Sequence, residues 1–356
     1  MGRPSVYLGL GSMRAEAGGM ARLGRLVARV LAEERAAGRV EVGGALLADG
    51  AAPADLALPL VGCRGSRGRF VWNAWLAARD YGHFLYNFSG LARAHNRLPG
   101  LRRPFATFLV GIDVWEDAHP DRVRWARRAD LLVSISGHTR ERAERAHGGL
   151  GHARVCWLAT EEEAPAERRP RPHPPTALIV SRIDERENYK GHDELLTAWP
   201  RVTAQVPGAR LLVIGAGSGL AGLRARAAGM AGVEFRGFVP EGQMQEVWDE
   251  ADVFAMPSRG EGFGLVYAEA MRQGLPVIAS VHDAGGEINL DGVTGFNVDL
   301  GRPDELGDRV IELLSDAGLR RRQGEAGRER WAEHFRYSAF RERFLGILRP
   351  WLNGGA

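Results

Sequence analysis

The chain is almost devoid of lysine: of its 47 lysines and arginines, only Lys190 is a lysine. It also lacks any apolar run of the roughly 18 residues that a membrane-spanning helix needs. The N-terminus, MGRPSVYLGLGS, has no basic-then-apolar leader pattern, so a cytoplasmic protein is expected. Two cysteines in unrelated surroundings, Cys63 and Cys156, supply neither a disulfide framework nor a zinc site and read as core fillers. Without a Gly-Lys pair there is no P-loop, which excludes a nucleoside triphosphatase of that kind. A short-chain reductase's Tyr/Lys pair is absent, because Arg186 stands four residues before Lys190. The stretch GAGSGLAG (215–222) has Leu220 where the third glycine of a dinucleotide fingerprint belongs. A pyridoxal enzyme would have Lys190 alone for its imine, and the bound cofactor would colour the protein.

Excess charge is also small. The formal net charge is +3, too small to imply nucleic-acid binding, but it is unevenly spread. Residues 1–165 carry 23 cations and 17 anions, and the remainder 24 and 27. The basic half suits either a solvated arginine-rich surface or an approach to anionic membranes or acidic substrates.

What is present is the composition of a soluble globular chain: 356 residues, 45% hydrophobic and 26% charged, enough for about two domains. Short apolar runs alternate with longer amphipathic segments, the pattern of strands and helices around a parallel sheet. The strand candidates of the first half are 5–11, 40–48, 83–88, 105–112, 131–136 and 154–159. Charge and proline interrupt at EEEAPAERRPRPHPP (161–175), and the alternation restarts at 177–182, 210–217, 233–238, 253–258 and 276–280. The expected architecture is α/β, with doubly wound Rossmann-like domains at 1–165 and 176–335, a proline-rich linker at 166–175 and a C-terminal helix at 336–356 packing back across the junction. Ligands of such sheets bind beyond the carboxyl ends of the strands, so two facing domains offer one cleft.

Arg182 ends the first strand of the second domain, and Lys190 follows a short polar loop, just before a helix that begins near Gly191. An arginine fork and a compact ammonium together suit a diphosphate; pairing with Asp184, Glu185 or Glu187 is the structural alternative. In SRGEGFGLVYAEAMRQGLPVIAS (258–280), Glu261 and Glu269 flank a glycine turn that leads from a strand into a helix. Gly262 and Gly264 allow close backbone approach, and the N–H groups of Phe263, Gly264, Leu265 and Val266 open the helix as an anion cradle. Carboxylates on each side of such a cradle suit the hydroxyls of a nucleotide sugar, unless Glu261 merely caps the helix and Glu269 lies on its solvated face. The aromatic stretch FVWNAWLAARDYGHFLYNF (70–88) fills a core, stacks on a sugar or binds a lipid or polyketide.

The series SRIDERENYKGHDELL, LLVIGAG, GFVPEGQMQEVWDEADVFAMPSRGEGFGLVYAEAMRQGLPVIAS and AGGEINLDGVTGFNV resembles the retaining glycosyltransferases of family 4, which have the GT-B fold. GLGSMRAEAGGMARLGRLVARVL resembles their N-terminal glycine loop and helix, and FLVGIDVWED their acceptor domain. The resemblance implies an acceptor-binding first domain and a nucleotide-sugar-binding second one. It implies that Arg182 and Lys190 hold the donor diphosphate, that Glu261 meets hydroxyls of the hexose, and that Gly262, Phe263 and Gly264 line that sugar. Leu265 and Val266 would donate N–H groups to the phosphates, Glu269 would take the ribose hydroxyls, and Gly18 and Gly19 would close over the same phosphates. Asp113 is an acceptor-side candidate from its place at a strand's carboxyl end. The family uses neither metal nor cofactor, and transfers a UDP- or GDP-linked hexose to a glycan, lipid-linked or natural-product hydroxyl, in some members at the inner membrane face. Where family members often have a histidine that reaches the donor sugar, this chain has Val110. A GT-B epimerase, phosphorylase or silent binder is the alternative.

Overall fold

A computed structural model describes residues 3–14, 18–96, 98–169 and 172–354. The chain divides into two compact units, Met1–Glu161 with Tyr337–Ala356, and Glu162–Arg336.

The first unit carries strands β1 (Ser5–Leu10), β2 (Glu41–Leu46), β3 (Leu60–Gly62), β4 (His83–Tyr86), β5 (Phe105–Leu109), β6 (Leu131–Ser134) and β7 (Arg154–Val155). Between them run helices α1 (Gly19–Ala36), α2 (Arg67–Ala77), α3 (Pro120–Ala126) and α4 (Gly137–His147). The second unit has β8 (Thr176–Val180), β9 (Arg210–Ile214), β10 (Val233–Gly237), β11 (Val253–Ala255), β12 (Val277–Ser280) and β13 (Gly295–Val298). Its helices are α5 (His192–Gln205), α6 (Leu220–Arg226), α7 (Met244–Asp249), α8 (Leu265–Arg272), α9 (Gly285–Ile288), α10 (Glu305–Ser315) and α11 (Ala317–His334). A last helix, α12 (Tyr337–Leu352), belongs to the first unit.

Strand order is β3-β2-β1-β4-β5-β6-β7 in one sheet and β10-β9-β8-β11-β12-β13 in the other. The pairings are parallel. Central strands are buried along almost their whole length, as in TALIV and SVYLGL, because helices cover both sheet faces. Each order reverses once, between β1 and β4 and between β8 and β11. At such a switch point successive connections leave to opposite faces and open a crevice beyond the strand ends. Arg182 follows β8 and the 258–264 loop follows β11, so the sheet order itself brings the two sequence signals side by side.

Three readings of the sequence change. Strands β3 and β13 lie at or near sheet edges and are short, so their periodicity is too brief to register, and they were not among the strand candidates. The candidate at 154–159 contracts to two paired residues. The division falls after Glu161, ahead of the 165/166 boundary, because the proline-rich stretch is docked on the second unit. Arg168 donates to the carbonyls of Trp248 at 2.7 Å and Ala251 at 2.5 Å, and Ala166 N–H donates to Arg272 O at 3.2 Å.

α12 is held to α1 by a charged cluster. Buried Glu34 accepts from Arg341 at 2.9 Å and Arg349 at 3.0 Å, as well as from Arg39, while Tyr337 donates its hydroxyl to Glu33 at 2.8 Å. The bonds from Arg39 and, after it, Arg349 outweigh burial and hold the Glu34 carboxyl at about 2, well below its usual range.

Candidate functional site

Beyond β8 the backbone of Ser181 and Ile183 stays bonded to the β9 side, through Ile214 O and Ala216 O, and then turns into a 3₁₀ segment, Glu185–Lys190. Asp184 caps that segment by accepting from Arg186 N–H at 3.0 Å. Gly191 ends it in the left-handed region at φ 90°, and a Cβ there would stand 2.7 Å from Pro257 O. Only glycine fits so tight a reversal against another backbone. This turn places Lys190 against the loop after β11, with Tyr189 O accepting from Arg259 N–H at 2.8 Å.

Here the two signals meet. The Lys190 ammonium bonds to the Glu261 carboxylate, both side chains being about one-seventh exposed. Burial alone would draw the ammonium's pKa down; Glu261, Tyr189 and Glu187 together outweigh it, so the group is held above its ordinary value and stays charged. Arg182 stands two-thirds exposed and pairs with Glu187, its Nε 3.1 Å from Oε2. The pairing with Glu187 weighed from the sequence is therefore realised for Arg182, whereas Lys190 reaches across to the glutamate of the glycine turn.

Glu261 is fixed from beneath by a residue that sequence reasoning missed. Asp283, in the loop after β12, accepts from the N–H of Glu261 and of Gly285, both at 2.8 Å. Burial, with the Glu261 carboxylate adding, pushes its carboxyl up to about 7. The signal that could have found it is an aspartate just before the glycine pair in VHDAGGE. Ser280 Oγ donates to Ser258 O and Tyr267 donates to Met256 O at 2.7 Å, so the floor of the loop is tied to β11 and β12.

Gly264 caps α8 at φ 86° and, as a glycine, brings no side-chain acceptor of its own to the first turn. The opening amides of a helix have no intrahelical partner, so those of Leu265 and Val266 form a ready anion contact beside Lys190 and Glu261. Phe263 is buried edge-to-face on Phe335, which leaves only its backbone for a ligand. Glu269 is half-buried one turn into α8, on the side of Leu265. The neighbouring histidines serve the fold. His192 shares a hydrogen bond with Ser181 Oγ at 3.2 Å and is pushed by burial down to about 4, while His282 Nε2 accepts from Leu300 N–H at 3.1 Å.

Gly18, Gly19 and Asp113 lie in the first unit. Gly18 caps α1 at φ 74°, following a loop that Asp49 holds by accepting from Ser12 Oγ and Met13 N–H, each at 2.7 Å. Asp113, the acceptor-side candidate, is 3% exposed, and both of its oxygens are engaged. Val110 N–H donates to it at 3.1 Å and Ser89 Oγ at 3.3 Å, so it braces its own loop.

Burial raises the Asp113 carboxyl to about 7. A folded pKa above the unfolded one contributes stability that is complete at low pH and is lost as pH rises toward the folded value. Asp113→Asn does not titrate, so its stability relative to the parent is expected to improve by about 2–3 kcal/mol between about pH 5 and about pH 8. Denaturant unfolding of both proteins at the two pH values checks this; an unchanging difference would show an ordinary carboxyl.

Residues 174–316 match the family described as "Glycosyl transferases group 1". The chain is 32% identical over 238 residues to the GDP-mannose-dependent monoacylated alpha-(1-6)-phosphatidylinositol monomannoside mannosyltransferase of Corynebacterium glutamicum. It is 33% identical over 240 residues to the GDP-mannose-dependent alpha-(1-6)-phosphatidylinositol monomannoside mannosyltransferase of Mycobacterium tuberculosis. The match covers 62% of this chain and 62% of each of these relatives. Among solved structures, sucrose-phosphate synthase from Thermosynechococcus elongatus superposes with a TM-score of 0.80 at 20% identity, over 99% of this chain and 100% of that one. Anabaena HepE in complex with UDP and glucose gives 0.75 at 18%, over 98% and 100%. Over residues 174–316 the second unit is thus similar to the group 1 glycosyltransferases, in a chain whose fold is GT-B.

Proposed function

We propose that this chain is a retaining glycosyltransferase that moves a hexosyl group from a nucleoside-diphosphate sugar to a hydroxyl of a lipid-linked, glycan or natural-product acceptor. The observation that carries the reading is the Lys190–Glu261 pair set beside the uncapped start of α8. A cation, a hydroxyl acceptor and free amides are thereby gathered at one switch point. GDP-mannose is the first donor to test, since the mannosyltransferases similar to this chain are named for it.

In the reaction, the bond from the anomeric carbon to the diphosphate breaks, and the acceptor oxygen bonds to the same face of that carbon. The acceptor's proton passes to the departing phosphate oxygen, giving the glycoside and the nucleoside diphosphate. The difficult step is the build-up of charge on the leaving group. Arg182, Lys190 and the amides of Leu265 and Val266 stabilise it, and preorganised contacts of this kind are each worth about 3 kcal/mol. Arg182 must leave Glu187 to take a phosphate, which its exposure makes easy. Glu261, with the backbone of Gly262 and Phe263, receives the hexose hydroxyls, and Glu269 receives the ribose. No divalent ion enters this scheme, so chelation by EDTA is expected to leave turnover unchanged.

A thermal-shift series with GDP, UDP, ADP and their sugar conjugates tests the reading, because a ligand of the native state raises stability by about 2.7 kcal/mol at a hundredfold excess over Kd. GDP and GDP-mannose are expected to act most strongly. Labelled GDP-mannose and a lipid extract then test transfer. A flat response to every nucleotide would remove the proposal, and binding without transfer would leave a silent binder.

A further inference from the structure

The loops that follow β11 and β12 each bring a carboxylate to one place in the second unit, and one of the two has a cation. Glu261 takes the Lys190 ammonium. Asp283 is 4% exposed, and among the described residues no cation pairs with it. Its Oδ2 accepts from Glu261 N–H and its Oδ1 from Gly285 N–H, with Ser258 as a further hydrogen-bond partner. A buried carboxylate held by neutral donors alone keeps its charge at a cost. The groups facing it add no positive charge. Glu261 opposes it from the loop after β11, Tyr267 approaches from α8 with its hydroxyl given to Met256 O, and α9 offers the amide of Gly285. His282, next to it in the chain, turns its ring to Leu300 N–H and Asp299.

A donor would upset this balance. When Lys190 turns to a diphosphate, Glu261 gives up its cation while Asp283 still stands beneath it, and phosphate charge arrives beside both. Two carboxylates at one site without a counter-charge do not both stay ionised, and the more deeply buried one takes the proton. Asp283 is the deeper of the two, at 4% against 14% for the Glu261 side chain. Glu261, in turn, has to stay ionised to accept from hexose hydroxyls. Burial and the Glu261 charge already hold the Asp283 carboxyl at about 7, so a rise of about one unit carries it across neutrality.

We propose that Asp283 is a positioning residue for Glu261 that takes up a proton from the buffer when a sugar nucleotide binds, so that Glu261 keeps its charge and its place as Lys190 turns to the phosphates. The inference rests on the donor site proposed above. The proton comes from water and returns to it when the nucleoside diphosphate leaves, and no bond between heavy atoms changes in the step. Below about pH 6 Asp283 is protonated with or without donor, so binding there exchanges nothing. Above that value uptake makes the affinity fall as pH rises.

The probe is GDP-mannose, or UDP-glucose if that is the sugar nucleotide that raises the melting temperature. Both phosphates of a sugar nucleotide are esterified and exchange no proton near neutrality, whereas the terminal phosphate of free GDP titrates near about pH 6. Calorimetry of its binding to the full chain at pH 7.5, in two buffers of different ionisation heat, is expected to show uptake of about half a proton. The Kd is expected to rise by about fivefold to tenfold from pH 6 to pH 8.5. Asp283→Asn cannot titrate, so its Kd is expected to vary by less than about twofold over that range, with no uptake. A merely structural role would weaken binding alike at every pH. If this variant does not melt cooperatively, the parent's calorimetry decides by itself. Binding without proton uptake, or a pH slope that survives in Asp283→Asn, would overturn the proposal and leave the donor site intact. Absence of binding by both sugar nucleotides at every pH would remove the donor site, and the proposal with it.

Discussion

Lys190→Ala is expected to lower kcat/KM for sugar transfer by about a hundredfold to a thousandfold, the usual consequence of removing one preorganised charge contact from a leaving group. The loss should fall mainly on kcat, because the ammonium counts most when the diphosphate carries its full charge. Lys190→Arg is expected to recover little of it. The side chain lies beside the Tyr189 ring, 5.0 Å from its centroid, and is only 15% exposed where it meets Glu261, leaving poor room for a planar fork. Folding is kept separate from chemistry by a second pair of variants. Removing Lys190 leaves the Glu261 carboxylate without its cation and is expected to cost about 2–3 kcal/mol of stability. Lys190→Met combined with Glu261→Gln removes both charges and should regain stability while staying inactive. A Lys190→Arg enzyme that turned over as fast as the parent would end the idea that this solitary lysine has a particular task.

Gly264→Val is the second large effect. At φ 86° a branched residue is strained, and an added Cβ would stand 2.4 Å from the Tyr267 ring. That ring cannot yield, since it is fully buried and its hydroxyl is bonded to Met256 O. Strain and overlap together are expected to destabilise the second unit by about 3 kcal/mol. The start of α8 would shift with them and abolish the thermal response to GDP. Gly242→Ala, where nothing lies within 4 Å of the new atom, is the control and should change stability by less than about 0.5 kcal/mol. A Gly264→Val protein with the parent's melting temperature and nucleotide response would refute the packing argument.

Much of this was legible in the chain alone. Alternating apolar runs announce two parallel sheets, because a strand buried on both faces must be apolar at nearly every position. The glycine turn at 262–264 and the strands before it follow from short-range rules, so Glu261, Leu265 and Val266 could be placed at a strand-to-helix junction. The edge strands β3 and β13 were not legible, since three or four residues carry too little periodicity.

Local residue patterns establish the α/β class, the succession of strands and helices apart from β3 and β13, and which loops follow the carboxyl ends of β8 and β11. Which charges meet is set by the assembled sheets. Lys190 and Glu261 are 71 residues apart, and their pairing depends on the order reversal between β8 and β11. The same holds for the burial of Asp113, the support that Asp283 gives Glu261, and the exposure of Trp72 and Trp75 beside a buried Phe70. Dihedral preference and periodicity act over a few neighbouring residues. Burial and charge partnership depend on what the folded sheets bring in from elsewhere in the chain.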